Sequence, residues 1–239
     1  MRRAPIVAIT LRGLLDRRRT WLMVLLAAIP VLVALAIVIW GRASFSSRLF
    51  DQLIVRTVLP LIALVFGTAA VGAELDDGTI VYLLAKPVRR LRLASAKALV
   101  AAGLTMALVV PAVLLTGLVA ITQDDSLIRA TLAFAIATAA GGTAYALAFM
   151  ALSTFTSRAL AVGLGYVLLW EGVLSGLFEG TRSFSIRQAT LGLADGLQGI
   201  DRSTTISAGT SVVILVAVIV GATAFASCVD AYTRSSMPV

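Results

Sequence analysis

The amino-acid sequence predicts an all-α integral membrane protein with six transmembrane helices, on three observations. Mean hydropathy is +1.00 and charged residues are 13% of the chain, too few polar side chains to cover a water-soluble domain of 239 residues. The apolar residues gather into six stretches, each near the roughly twenty residues that a helix needs to cross a bilayer. The Lys and Arg residues between those stretches are distributed unevenly, as they are around membrane spans of fixed orientation. The chain reads as one transmembrane domain over residues 1–239.

Residues 3–19 predict an amphipathic helix lying on the membrane surface. Pro5 suits a first helical turn, and Val7, Leu11, Leu14 and Leu15 share one face beside Arg12, Asp16 and Arg19. Such a helix serves either as a positively charged anchor that sets topology or as a contact for a cytoplasmic partner. The spans are expected at about 21–40, 53–73, 98–122, 131–152, 159–178 and 208–229. The first is flanked by Arg17, Arg18 and Arg19 and has no small-residue cleavage site, so a retained helix is expected rather than a removed signal peptide. The second begins near Leu53, with Arg56 reaching to the interface. An even number of spans puts both termini on one side. Thirteen of the twenty Lys and Arg residues fall on that side and seven on the other, so the termini are expected in the cytoplasm. The expected location is the cell membrane, in a bacterium the inner membrane.

This orientation makes 74–97 the one sizeable cytoplasmic loop. After Asp76 and Asp77, Gly78 breaks the helix and turns the chain. Thr79 then caps a short helix through Ile80, Val81, Tyr82, Leu83 and Leu84, which ends before Pro87. A helix this apolar is expected to be buried. Composition leaves two ways open: an interfacial helix whose Arg89, Arg90 and Arg92 hold lipid phosphates, or a docking helix for a cytoplasmic partner.

The run Glu74, then Asp77-Gly78-Thr79, then Leu83-Leu84-Ala85-Lys86-Pro87-Val88-Arg89-Arg90 and finally Lys97 resembles the pattern after the second span of type-2 ATP-binding-cassette (ABC) exporter permeases. The six-span plan and the basic N-terminal segment agree with that family over nearly the whole chain. The resemblance implies that 74–97 holds a coupling helix seated in a cleft of a separate ATPase subunit. Carried over residue by residue, Glu74, Asp77, Gly78 and Thr79 form the turn, Tyr82, Leu83 and Leu84 the docked face, and Lys86, Pro87, Arg89 and Arg90 the return. The Asp76-Asp77 pair is more acidic than that pattern. The family also implies two copies of the ATPase subunit, which bind the ATP and Mg, and a second permease copy or a paralogue. This chain itself is expected to bind no cofactor and no metal.

Between the last two spans, 179–207 is too polar to cross a membrane yet contains Ile186, Leu191, Leu193, Leu197 and Ile200 among glycines. That composition predicts short helices at, or dipping into, the outer leaflet, against the alternative of a surface loop. In similar exporters this region caps the external end of the pathway. Glu171 is the one acidic residue well inside a span, where an unpaired carboxylate is unfavourable by at least a few kcal/mol. It must face protein or water, lining a substrate pathway, pairing with a cation across a subunit interface, or protonated and hydrogen-bonded in a structural role.

Several chemistries are excluded. The chain has no His, which removes the commonest general base and metal ligand and leaves Ser175 without a protease base. No GxxxxGK[ST] phosphate loop occurs, so the chain does not hydrolyse ATP alone. Asp76-Asp77-Gly78 lacks the downstream aspartates of the CDP-alcohol phosphotransferases. Cys228, single in the chain, forms no internal disulfide. In a membrane protein, the net charge of +8 points to topology and anionic lipid rather than nucleic acid. Apolar spans suit a hydrophobic or amphipathic substrate, drug or lipid-like, better than an ion or sugar. A proton-coupled secondary transporter using Glu171 is the alternative; a membrane-embedded enzyme is a lesser one.

Overall fold

The computed structural model describes residues 17–40, 50–76, 90–122, 127–156, 158–174, 185–199 and 206–235. Every regular element among them is helical: α1 Arg17–Trp40, π1 Phe50–Val58, α2 Leu59–Asp76, α3 Arg90–Ile121, α4 Leu127–Phe155, α5 Ala159–Gly165, π2 Tyr166–Leu174, α6 Ile186–Gln198 and α7 Ala208–Ser235. The π-wound segments run directly into or out of their α-helical neighbours, π1 into α2 and α5 into π2. Four helices are long and apolar enough to cross a membrane, at Thr20–Trp40, Phe50–Ala70, Ser95–Ile121 and Leu127–Phe155. Ala159–Gly172 and Ala208–Ala224 are shorter apolar helices.

The centre of the bundle is α4, which touches α2, α3, α5, α6 and α7. Its sequence explains the position: Ala133, Ala137, Gly141, Gly142, Ala144 and Ala146 are small and all buried, so neighbouring backbones can come close. Gly67 of α2 is one such place. A Cβ there would lie 2.7 Å from the carbonyl oxygen of Ala146 and 2.9 Å from Cβ of Phe149, and neither atom can move without moving the helix. Larger side chains fill the spaces between: Phe50, Ile54, Leu59, Ile62 and Phe66 are buried against α4 and α3. Phe50 stacks on Phe134 with ring centroids 5.2 Å apart.

Threonine inside these apolar helices satisfies itself. The hydroxyls of Thr68, Thr105, Thr116, Thr131 and Thr138 each donate to the carbonyl four residues earlier, so these five hydroxyls are satisfied in a water-poor interior. At the periphery lies α1, where Trp21, Leu25, Leu32, Ile39 and Trp40 are exposed. Only 17% of its membrane-length window is buried, against 67% for Phe50–Ala70 and Leu127–Phe155. A helix that apolar and that exposed belongs against lipid.

Several element ends differ from the sequence expectation. α2 continues to Asp76 and α3 starts at Arg90, so Glu74, expected in a turn, is helical, and Arg90 and Lys97, expected in the loop, lie in α3. Lys97 is buried. α4 starts four residues before, and ends three residues after, the expected 131–152. The common reason is that hydropathy marks where a helix contacts hydrocarbon, whereas backbone hydrogen bonding carries the helix further. Residues 3–16 of the expected surface helix and 77–89 of the cytoplasmic loop, including Asp77, Gly78, Thr79, Tyr82, Leu83, Leu84, Lys86, Pro87 and Arg89, lie outside the described residues.

Candidate functional site

In an α-helix, residues five apart point about 140° away from each other; a π-helix, with its wider turn, brings them to the same face. Both π segments use that register for polar pairs. In π1 the Arg56 Nε–H donates to Asp51 Oδ1 at 3.1 Å, and the Thr57 hydroxyl donates to the Gln52 carbonyl at 3.3 Å. Pro60 follows two residues beyond π1, and its ring and missing N–H disfavour a regular α-ladder there. In π2 the Tyr166 hydroxyl donates to Glu171 Oε1 at 3.3 Å.

Glu171 is 1% exposed, so its partners are all protein groups. The Tyr145 hydroxyl of α4 donates a short hydrogen bond to Oε2. Oε1 accepts from the backbone N–H of Arg187 at 3.3 Å and, more weakly, from the Ser185 hydroxyl at 3.5 Å. Ser185 is also the N-cap of α6, accepting from the Gln188 N–H at 3.2 Å. The carboxylate therefore sits at the positive end of a 13-residue helix. Donors from three separate elements offset the desolvation that would make a lone buried carboxylate unfavourable. Phe149 closes the apolar side, stacked on Tyr145 at 5.8 Å and edge-on to Tyr166 at 6.3 Å.

Geometry along α4 sets the depth of this cluster. Tyr145 lies 18 residues after Leu127, the first residue of α4, or about 27 Å at 1.5 Å per residue. From there α6 runs back along α4. Thr190 lies against Gly141, where a Cβ would collide with its side chain, and Gly199 comes near Arg129. Gly199 ends the helix at φ 71°, the left-handed conformation that glycine adopts without strain. Thus α6 lies inside the bundle, antiparallel to α4. Arg187, also buried, has Glu171 and Asp51 as opposite charges and Arg56 as a like charge within electrostatic reach.

Of the residues singled out in the sequence, the described structure brings Glu171 into this cluster; Glu74, Arg90 and Lys97 lie on α2 and α3, away from it in the chain order of the bundle. Sequence reasoning missed Tyr145, Tyr166, Ser185 and Arg187. The one available signal was a tyrosine five residues before the acid, which reads as a pair only if π winding is assumed. Among the described residues no three metal-ligating side chains come together. The cluster joins α4, π2 and α6 through hydrogen bonds to one side chain.

A bundle of apolar, membrane-length helices with small residues at its contacts is that of an integral membrane protein. The family model described as "ABC-2 family transporter protein" matches residues 15–178, and the chain belongs to that family. It is thus the membrane component, the permease, of an ABC transporter, and this membership implies an ABC ATPase as its partner. No curated protein matches the chain. The matched region takes in α1 through π2, while α6 and α7 lie beyond it.

Proposed function

We propose that the chain is the permease subunit of an ABC exporter for a hydrophobic or amphipathic, drug- or lipid-like compound. In this reading it crosses the membrane six times with both termini in the cytoplasm, pairs with a second copy or a paralogue, and is driven by two ATPase subunits that bind the ATP and Mg. The segment between α2 and α3 docks on the ATPase through Tyr82, Leu83 and Leu84, with Glu74, Asp77, Gly78 and Thr79 at its start and Lys86, Pro87, Arg89 and Arg90 at its return.

One observation carries the docking reading. α2 ends on Glu74 and Asp76 and α3 begins on Arg90 and Arg92, so the segment that joins them starts and finishes on charged residues, which favour water over hydrocarbon and so a place that a soluble subunit can reach. Family membership favours ATP-driven transport over the proton-coupled alternative, and Glu171, enclosed by its hydrogen-bond partners, is assigned to holding helices rather than to lining the pathway.

Replacing Leu83 with Asp tests the docking. A carboxylate buried in the ATPase cleft without a partner weakens the contact by several kcal/mol, so the ATPase fails to copurify with a permease present at normal membrane levels. Full copurification with normal substrate-stimulated ATPase activity overturns the docking and leaves the segment as an interfacial anchor.

A further inference from the structure

Lys97 is the one lysine among the described residues, and it takes no part in the cluster around Glu171. It lies within the apolar, membrane-length part of α3, Ser95–Ile121, at 5% exposure. Helical periodicity puts it on the same face as Ala101 and Ala112, which belong to the core. An ammonium buried in an apolar segment is unfavourable unless an anionic group meets it. The level of Lys97 in the bundle decides which acid that is.

Three glycine contacts fix that level. A Cβ at Gly117 of α3 would strike Thr131 of α4, and a Cβ at Gly142 of α4 would lie 3.2 Å from Cγ2 of Thr105 of α3. Going back along α3 from Gly117 to Thr105 thus matches going forward along α4 from Thr131 to Gly142, so the two helices run antiparallel and in step. Continued from Thr105 and Gly142, the same register sets Lys97 level with Met150. A Cβ at Gly67 of α2 would lie 3.3 Å from the Met150 nitrogen, so Lys97, Met150 and Gly67 share one level.

From Gly67, two turns of α2 lead to Glu74, at a register position on the face of Gly67 and about 10 Å nearer the end of the helix. Asp76 falls on the opposite face. Side chains of an α-helix lean toward the N-terminus of their own helix. For Lys97 that is the Arg90 end, the direction of Glu74, and its long apolar stem covers much of the distance. Glu171 lies the other way, bonded to Tyr145, which precedes Met150 on α4. The helices α2 and α3 are in contact with each other and with α4.

We propose that Lys97 of α3 and Glu74 of α2 form an ion pair across the two helices that flank the connecting segment, and that this pair is the positioning contact through which movement of the segment reaches the core of the bundle. The part played in coupling rests on the docking reading of that segment; the pair itself does not.

The test is a double-substitution cycle on the full chain in detergent, read as the fraction of monodisperse permease that survives a fixed heat challenge. Glu74→Gln leaves the ammonium without its carboxylate and lowers that fraction on the order of tenfold. Adding Lys97→Met removes the ammonium and recovers most of the loss, although Lys97→Met alone gives no gain. Arg90 is the rival partner, since it lies on the face of Lys97 two turns earlier in α3, at the level of Glu74. The pair is overturned if Glu74→Gln is harmless, if Lys97→Met shifts the surviving fraction equally with and without Glu74, or if Arg90→Met recovers the loss as well. Reconstitution with the ATPase tests the positioning role. Lys97→Arg keeps substrate-stimulated ATPase activity near that of the unsubstituted permease, whereas Lys97→Met copurifies with the ATPase and loses the stimulation several-fold. Normal stimulation in Lys97→Met overturns the part played in coupling. An unsubstituted permease that shows the ion pair yet copurifies no ATPase contradicts the docking reading and leaves the pair standing.

Discussion

Where α2 meets α4, Gly67 is pressed against the Ala146 carbonyl and Phe149, with Ile62 and Phe66 buried in the same apolar core. Where α6 meets α4, Thr190 fills the space over Gly141, and the helix is tied at one end to Glu171. Both contacts depend on glycine, yet they are stabilised differently. In a bilayer the hydrophobic effect does not drive helices together, because lipid is as apolar as leucine. The first contact therefore rests on many small dispersion interactions between close surfaces, which hold only in the packed arrangement. The second adds to the apolar contacts of Ile186, Ala189, Leu191 and Ala194 a set of hydrogen bonds that converge on one carboxylate.

The comparison breaks most visibly at Gly67. Replacing it with Leu forces a branched side chain into helix backbone, and overpacking of this kind destabilises by about 3 kcal/mol. The expected result is a fall in folded, monodisperse permease in detergent on thermal challenge. A variant of normal thermal stability means that α2 and α4 are not packed as described.

Tyr145→Phe should have a smaller and more local effect. It keeps the ring that stacks on Phe149 and removes one donor to Glu171, a change of about 1.5 kcal/mol for a hydrogen bond to a charged group. Global thermal stability stays within about 1 kcal/mol of the original, while a protease site inserted after Gly199 becomes several times more accessible. Equal loss in both measurements makes Tyr145 a general core residue and removes the distinction between the interfaces.

Much of the bundle was legible in the sequence because lipid contact and helical hydropathy are the same signal. The expected spans 21–40, 53–73 and 131–152 lie within helices of the structure, and 98–122 ends one residue beyond α3. Helix ends were less legible: Glu74 and Arg90 continue α2 and α3 beyond the hydrocarbon, where polarity no longer disfavours a helix. Glu171 stood out as a lone acid in an apolar segment, but its partners did not. Tyr145 is 26 residues away from it, a separation set by tertiary packing, and Tyr166 is paired with it only because π2 is π-wound. Composition anticipated short helices at, or dipping into, the outer leaflet in 179–207 but not the close contacts of Gly192 with Ser211 and of Gly196 with Ala208, which tertiary packing sets.

Amide hydrogen exchange of the full chain in lipid nanodiscs tests the contrast most directly, since exchange reports local opening segment by segment. The account predicts that amides of α6, from Arg187 to Gln198, exchange at least about tenfold faster than those of α4 between Ala133 and Met150, while α2 and α4 exchange together at the slowest rates. Protection of α6 equal to that of α4 would contradict the claim that the two interfaces are stabilised differently.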